Sequence, residues 1–213
     1  MLKIKTLEVG PLQTNCYLVF DPECQEGLIV DPGADKPKII KTVEKSGVRF
    51  KSVVNTHGHF DHVGADTIKE LLGVPLYLHQ ADLPLLKNAR VNQALILGVD
   101  NGEKIPTPDG FLEEGQELAV GGGRLTVWHT PGHSPGGICL VAAGFVLTGD
   151  TLFNSGVGRT DLEGGSDPDL ERSLRRLLKL PPETVVYPGH GPSTTIGAER
   201  RLLVDPGDKQ ATV

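Results

Sequence analysis

The sequence predicts a layered α/β domain, and three observations carry that expectation. Short apolar runs of strand length alternate with stretches of helical periodicity along most of the chain. The runs end repeatedly in turns rich in glycine and proline. At 213 residues the chain is long enough for one full hydrophobic core. One domain over residues 1–204, with a polar, frayed tail at 205–213, is the natural division.

In chain order, residues 2–9 read as a first strand, with no apolar core long enough for a signal peptide. Strand-like runs follow at 15–20, 28–30 and 52–55, the last after a basic, glycine-containing stretch. Helical patterns occupy 35–46 and 61–73; in the second, Ile68, Leu71 and Leu72 recur at three- and four-residue intervals and form an apolar face. A strand at 75–78 and a helix at 80–97 come next. Residues 100–110 are turn-rich, and Gly121-Gly122-Gly123 marks a tight hairpin. Strands at 124–128, 138–141, 145–148 and 184–187 and helices at 168–179 and 194–204 complete the alternation.

Chemistry concentrates at the ends of these strands. Thr56-His57-Gly58-His59-Phe60-Asp61-His62 is an H-x-H-x-D-H string. His57 and His59 point to one side if the chain stays extended past its strand, and Asp61 and His62 then open a helix. Three further candidates follow: His133 after Thr-Pro-Gly, Asp150 after Leu-Thr-Gly, and His190 after Tyr-Pro-Gly. An aspartate at a helix start is also an ordinary cap, and a strand-end turn needs no metal. Four potential ligands within six residues make capping or chance an insufficient account. Imidazoles and carboxylates together suit zinc, iron or manganese, and a water held between two such ions is a ready nucleophile.

In these motifs the chain resembles the metallo-β-lactamase-fold hydrolases, and more closely their single-domain, glyoxalase II-like branch. Ile29-Val30-Asp31-Pro32-Gly33 resembles the family's first motif, His57 to His62 the second, and His133, Asp150 and His190 the remainder. Residues 153–162 resemble the loop that follows the bridging aspartate. The resemblance implies a four-layer αββα sandwich and two divalent metal ions. One ion would be held by His57, His59 and His133, the other by Asp61, His62 and His190, with Asp150 bridging both. It implies a hydroxide shared by the ions as nucleophile, Asp61 as its proton shuttle, and Asp31 as a supporting residue behind the ligands. The implied substrate is a thioester of the S-lactoylglutathione type.

Two departures bear on that substrate. Two-domain glyoxalase II enzymes continue into a helical domain, whereas this chain ends soon after His190. Where their loop carries a lysine and a tyrosine for glutathione, this chain has Arg159 and Asp161. Arg159 suits a substrate carboxylate through its planar fork; equally, it suits an ion pair with Asp161 or Glu163. A mononuclear-iron persulfide dioxygenase, with the iron on His57, His133 and Asp150, is the alternative on the same fold.

Bulk properties narrow the classes further. The 21 basic and 27 acidic residues leave a charge of −6, without a basic run that would suit nucleic acid or an anionic membrane. A phosphodiesterase or ribonuclease is disfavoured on that ground, and a secreted β-lactamase by the missing signal peptide. A catalytically idle scaffold would be marked by lost ligands, and all seven are present. A cytoplasmic enzyme with a small-molecule substrate is the expectation. Cys16, Cys24 and Cys139 have neither disulfide nor C-x-x-C spacing, and Cys16 and Cys139 lie in apolar runs as buried thiols. His79 and His129 are surplus to two full coordination sets and read as structural histidines.

Overall fold

A computed structural model describes residues 1–98, 105 and 107–203. The tail expected at 205–213 and the centre of the turn-rich stretch, 100–104, lie outside the described residues. In chain order the elements are β1 (Lys3–Val9), β2 (Thr14–Asp21), β3 (Glu26–Val30), α1 (Lys36–Ser46), β4 (Arg49–Val54), α2 (Phe60–Val63), α3 (Ile68–Leu72), β5 (Leu76–Leu78) and α4 (Leu83–Leu97). Then follow β6 (Gly110–Phe111), β7 (Glu117–Val120), β8 (Gly123–His129), β9 (Ile138–Ala142), β10 (Phe145–Gly149), β11 (Leu152–Phe153) and β12 (Gly156–Val157). The chain closes with α5 (Asp167–Leu177), β13 (Val185–Pro188), β14 (Thr194–Thr195) and α6 (Ile196–Leu203).

Two six-stranded sheets form the middle of the molecule, in the orders β1-β2-β3-β4-β5-β6 and β14-β13-β10-β9-β8-β7. Strand periodicity sorts their side chains. Tyr17 and Val19 of β2, Val30 of β3 and Val54 of β4 face inward and meet Leu125, Val127, Ile138, Leu140 and Leu147 of the opposing sheet. Their neighbours one residue away, Cys16, Leu18, Ile29 and Val53, face outward and bury Ile39 and Val43 of α1 and Ile68 of α3. On the far side, Cys139, Val146 and Val186 receive Leu177 of α5 and Ile196 of α6. The result is the four-layer αββα sandwich.

The structure differs from the periodicity in instructive places. The helix expected at 61–73 is two short helices, α2 and α3. The carbonyl of His62, which a continuous helix would offer to the amide of Asp66, instead accepts from Gly33 N at 2.8 Å and from Asn55 Nδ2 at 3.3 Å. The helix expected from residue 194 starts at 196, because Thr194 and Thr195 first pair with Val186 and Val185. Strands β6, β7, β11, β12 and β14 are two to four residues long, too short to carry a period. The hairpin at Gly121-Gly122 is present, with Val120 paired to Gly123 across it.

Strand direction brings the loops together. β8 is antiparallel to β9, β9 to β10, and β10 runs parallel to β13. The residues following β8, β10 and β13 therefore leave the second sheet at one edge. In the first sheet β3 and β4 are parallel and also end there. Backbone hydrogen bonds close this edge: Asn15 N donates to Gly189 O (2.7 Å), Ile138 N to Thr56 O (2.9 Å) and Gly189 N to Gly149 O (2.7 Å).

Candidate metal centre

The closed edge is where His57 and His59 (after β4), Asp61 and His62 (on α2), His133 (after β8), Asp150 (after β10) and His190 (after β13) converge. Their ligand-capable atoms form three groups, the second sharing His57 with the first and His62 with the third: His57, His59 and His133; His57, His62 and Asp150; and Asp61, His62 and His190. Within each group the atoms lie within 4.8 Å of one another. His59 Nδ1 is 2.9 Å from His133 Nε2, and His62 Nε2 is 3.4 Å from His190 Nε2. Asp150 stands between the halves, with Oδ1 3.4 Å from His62 Nε2 and Oδ2 3.5 Å from His133 Nε2 and 3.6 Å from His190 Nε2. Asp61 Oδ2 lies 3.2 Å from His190 Nε2.

Tight turns make this approach possible. Gly149 takes a left-handed backbone (φ 48°) directly before Asp150, against Thr56. At Gly189 a Cβ would fall on Asp150 Oδ1 and within 2.8 Å of His62 Cε1. A side chain at Gly149 would displace Thr56, and one at Gly189 would displace the candidate ligands Asp150 and His62.

The outward nitrogens are anchored and so set the tautomers. His62 Nδ1 donates to Asp31 Oδ2 (3.0 Å), His133 Nδ1 to the Arg159 carbonyl (2.8 Å), and His190 Nδ1 to the Leu12 carbonyl (3.0 Å). His57 Nδ1 lies 3.1 Å from Thr56 Oγ1, which in turn donates to Asp31 Oδ2 at 2.7 Å. Asp31 also accepts from Thr56 N (2.7 Å). It serves both halves from behind, holding His62 directly and His57 through Thr56, where metal-ligating histidines find their orienting partners. In each of these four rings, Nε2 is left facing the cluster. His57 Nε2 and Asp150 Oδ1 are buried without a hydrogen-bond partner. Buried lone pairs crowded face to face with nothing between them are costly; divalent cations satisfy them, so the residues fit a metal pair.

The electrostatics agree. Burial, reinforced by the other histidines, pushes the His57 pKa well below its usual value, and burial with His133 brings His59 down to about 4. These rings are neutral donors. Burial opposes charge on His62, but Asp150, Asp61 and Asp31 outweigh it and raise its pKa well above the ordinary range. Burial likewise opposes charge on His190, and the hydrogen bond to Asp61 overcomes it. That half of the cluster calls for positive charge. For Asp61 and Asp150, burial pushes upward, and the facing His62 and His190 bring both below the usual carboxylate range.

Several supporting groups had no sequence signal. Asp82, fully buried at the start of α4, does not cap that helix. Its carboxylate accepts from Gly58 N (2.9 Å), Ser134 Oγ (2.7 Å) and Gly136 N, joining the His57–His59 loop to the His133 loop. Tyr17 Oη and Asn15 Nδ2 both donate to the Pro188 carbonyl and brace the His190 turn. The Arg159 and Leu12 carbonyls act through backbone, which residue type does not reveal.

The Arg159 side chain forms a two-pronged pair with Asp161 (2.6 and 2.7 Å), exposed, and this holds the Asp161 carboxyl down at about 2. His79 and His129 stack on each other, 4.0 Å apart and 11° from parallel. His129 Nε2 donates to the Pro135 carbonyl and His79 Nδ1 accepts from Ala81 N. Cys16 and Cys139 are buried, and Cys24 is exposed. Beside the cluster opens a cavity of about 420 Å³, bounded by His59, Asp61, His133 and Asp150 on one side and by Leu12, Leu85, Asn92, Ile96, Arg159, Leu162 and Glu163 around it. Among the described residues, no helix is long and apolar enough to cross a membrane.

Known proteins are similar to this chain in sequence and fold. The family model for the metallo-beta-lactamase superfamily matches residues 9–190. The probable metallo-hydrolase YqgX of Bacillus subtilis is 38% identical over 93% of this chain and 95% of its own length. Hydroxyacylglutathione hydrolase GloC of Haemophilus influenzae is 34% identical over 94% and 96%. Among solved structures, TTHA1623 in a di-iron-bound form superposes with a TM-score of 0.84 at 42% identity, over 92% of this chain and 97% of that one. The B3 metallo-beta-lactamase BLEG-1 gives 0.85 at 35%, over 93% and 96%. ETHE1 from Myxococcus xanthus gives 0.77 at 27%, over 93% and 82%. With the family model matched from residue 9 to residue 190, a range that takes in every residue of the cluster, the chain belongs to the metallo-beta-lactamase superfamily.

Proposed function

We propose that the protein is a dinuclear metal-dependent hydrolase of thioesters of the S-lactoylglutathione type. The observation that carries the metal reading is the cluster itself: five imidazole nitrogens and two carboxylates converge, four of the rings tethered from behind so that Nε2 faces inward. His57, His59 and His133 would hold one ion, Asp61, His62 and His190 the other, and Asp150 both. The donor set admits zinc, iron or manganese; the di-iron neighbour supports iron among them. Two such ions supply a water acidified toward neutral pH and Lewis-acid polarisation of a carbonyl.

The chain's own residues do the rest. Asp61, hydrogen-bonded by Thr14 Oγ1 at 3.3 Å and lining the cavity, is placed to hold and pass the water's proton. The cavity seats the acyl carbonyl against the cluster. The paired loops around Asp82 keep the ligands from having to rearrange during reaction. The thioester reading rests on the likeness to GloC across nearly the whole chain. The net charge of −6 supports a small-molecule substrate rather than a nucleic-acid or membrane partner, and a cytoplasmic setting is part of the same proposal.

The test is elemental analysis of protein purified without added metal, followed by a thioester panel. About two ions per chain with S-lactoylglutathione hydrolysis is the expected result. Asp150→Ala should lower total metal and reduce hydrolysis at least about 100-fold, since loss of mere supporting partners costs about 10- to 100-fold. Retained activity in that variant would remove the bridging assignment. One iron per chain, with oxygen consumed on glutathione persulfide, would establish the dioxygenase reading instead; the complete Asp61, His62 and His190 group favours two ions.

A further inference from the structure

We propose that the cavity beside the cluster selects thioesters whose acyl arm is an aliphatic chain of about four to eight carbons, in preference to a short hydroxyacyl group. This rests on the thioester reading above and names the substrate class within it. The cavity is bordered by His59, Asp61, His133 and Asp150, so a group seated in it lies beside the reacting bond. Its volume of about 420 Å³ is within the range of small-molecule sites and leaves most of the space unused by a lactoyl group.

The walls decide what fits. Leu85, Asn92 and Ile96 are seven and four residues apart on α4 and share one helix face toward the cavity. Leu12 stands in the β1–β2 turn and Leu162 in the loop after β12. Two of these side chains, Leu12 and Ile96, are 40% and 61% exposed in the protein alone, an apolar surface that gains by being covered. The walls are also tied to the reacting groups. The Leu12 carbonyl holds His190, and the loop carrying Leu162 holds His133 through the Arg159 carbonyl. An apolar arm pressed on Leu12 and Leu162 is thus registered against the cluster.

Charge at the rim points the same way. Arg159 commits Nε and one terminal nitrogen to Asp161, and Glu163 adds a further carboxylate. The three side chains sum to one negative charge, which disfavours an acyl arm ending in a carboxylate; between neutral arms the apolar walls decide.

The experiment compares kcat/KM of the metal-bearing protein on glutathione thioesters of lactate, acetate, butanoate, hexanoate and octanoate, the thiol held constant. The expected result is a rise of about two- to fourfold per added methylene, the range that apolar burial supports. Ile96→Asp should flatten the series, while Leu71→Asp, a similarly exposed leucine on α3 outside the cavity, should leave its slope as in the wild type. Hydrolysis of lactoyl- or acetylglutathione with a flat or falling series would overturn the acyl assignment and leave the thioester reading standing. A rising series untouched by Ile96→Asp would also overturn it, by placing the chain elsewhere. Hydrolysis of none of the five would overturn the thioester reading and the acyl assignment with it.

Discussion

Asp82 and Asp66 are both buried carboxylates near the cluster, and their surroundings give them opposite consequences. Asp82 is met by three donors, two of them backbone amides in the ligand loops. Asp82→Ala strands those donors, so stability should fall by about 2–4 kcal/mol in urea unfolding. Asp82→Asn, which keeps an acceptor, should lose less, and equal losses would mean that volume rather than hydrogen bonding matters there. Asp66 has one donor, Asn55 Nδ2, and its Oδ2 has none. Burial pushes its pKa well above the ordinary carboxylate value. Below the unfolded pKa both states hold the proton and the group is neutral toward stability. Above it the unfolded chain releases the proton while the folded chain keeps it, so stability falls as pH rises toward the folded pKa. Asp66→Asn should therefore be more stable than wild type by about 1–2 kcal/mol at pH 7 and equal to it near pH 3. Equal stabilities at pH 7, measured by denaturant titration, would show that the carboxyl is compensated.

α5 shows how an element reaches the site without contributing a ligand. Its start is capped by Ser166, whose side chain accepts from Asp169 N, and its first turn carries Asp167 and Asp169 against the helix dipole. Arg176 lies 4.1 Å over the Trp128 ring and pairs with Glu114, fastening the helix to β8. The helix packs on the turn before His133: Ser173 Oγ donates to the Pro131 carbonyl, and Ser166 N to the Gly132 carbonyl. At Gly132, with φ 140°, a Cβ would run into the backbone of Leu170. Gly132→Ala should thus push α5 and the His133 turn apart, costing about 2–4 kcal/mol as overpacking against backbone does. The same variant should lose metal before it loses fold. Wild-type metal content at reduced thermal stability would show that the turn yields without moving His133.

For the whole molecule, the two sheets are held at one edge by the cluster as well as by the core between them. The candidate ligands follow strands of both sheets, and the buried, unpartnered His57 Nε2 and Asp150 Oδ1 favour a cation between them. Removing metal with a chelator should lower the melting temperature by about 10 °C, the scale set by about 4 kcal/mol of binding at a thousandfold excess over Kd in a domain of this size. Re-addition of zinc, iron or manganese should restore it, and an unchanged melting temperature would mean that the cluster is stable empty.

What could be read from the chain alone was local and chemical. The H-x-H-x-D-H string, the three later turns that carry the candidate ligands His133, Asp150 and His190, and most strand and helix positions follow from residue type and spacing, because a metal donor and a tight turn each demand particular side chains. Even the glycines at 149 and 189 announce themselves beside their ligands. Only the tertiary structure decided which atoms meet: the common direction of β8, β10 and β13, the break between α2 and α3, the Arg159–Asp161 pair, and the work of Asp82. The Asp82 contacts span 24 to 54 residues, and the break between α2 and α3 rests on the His62 carbonyl, a group that every residue possesses. A hydrogen bond to backbone leaves no mark on the identity of its acceptor, and the support behind the ligands is largely made that way.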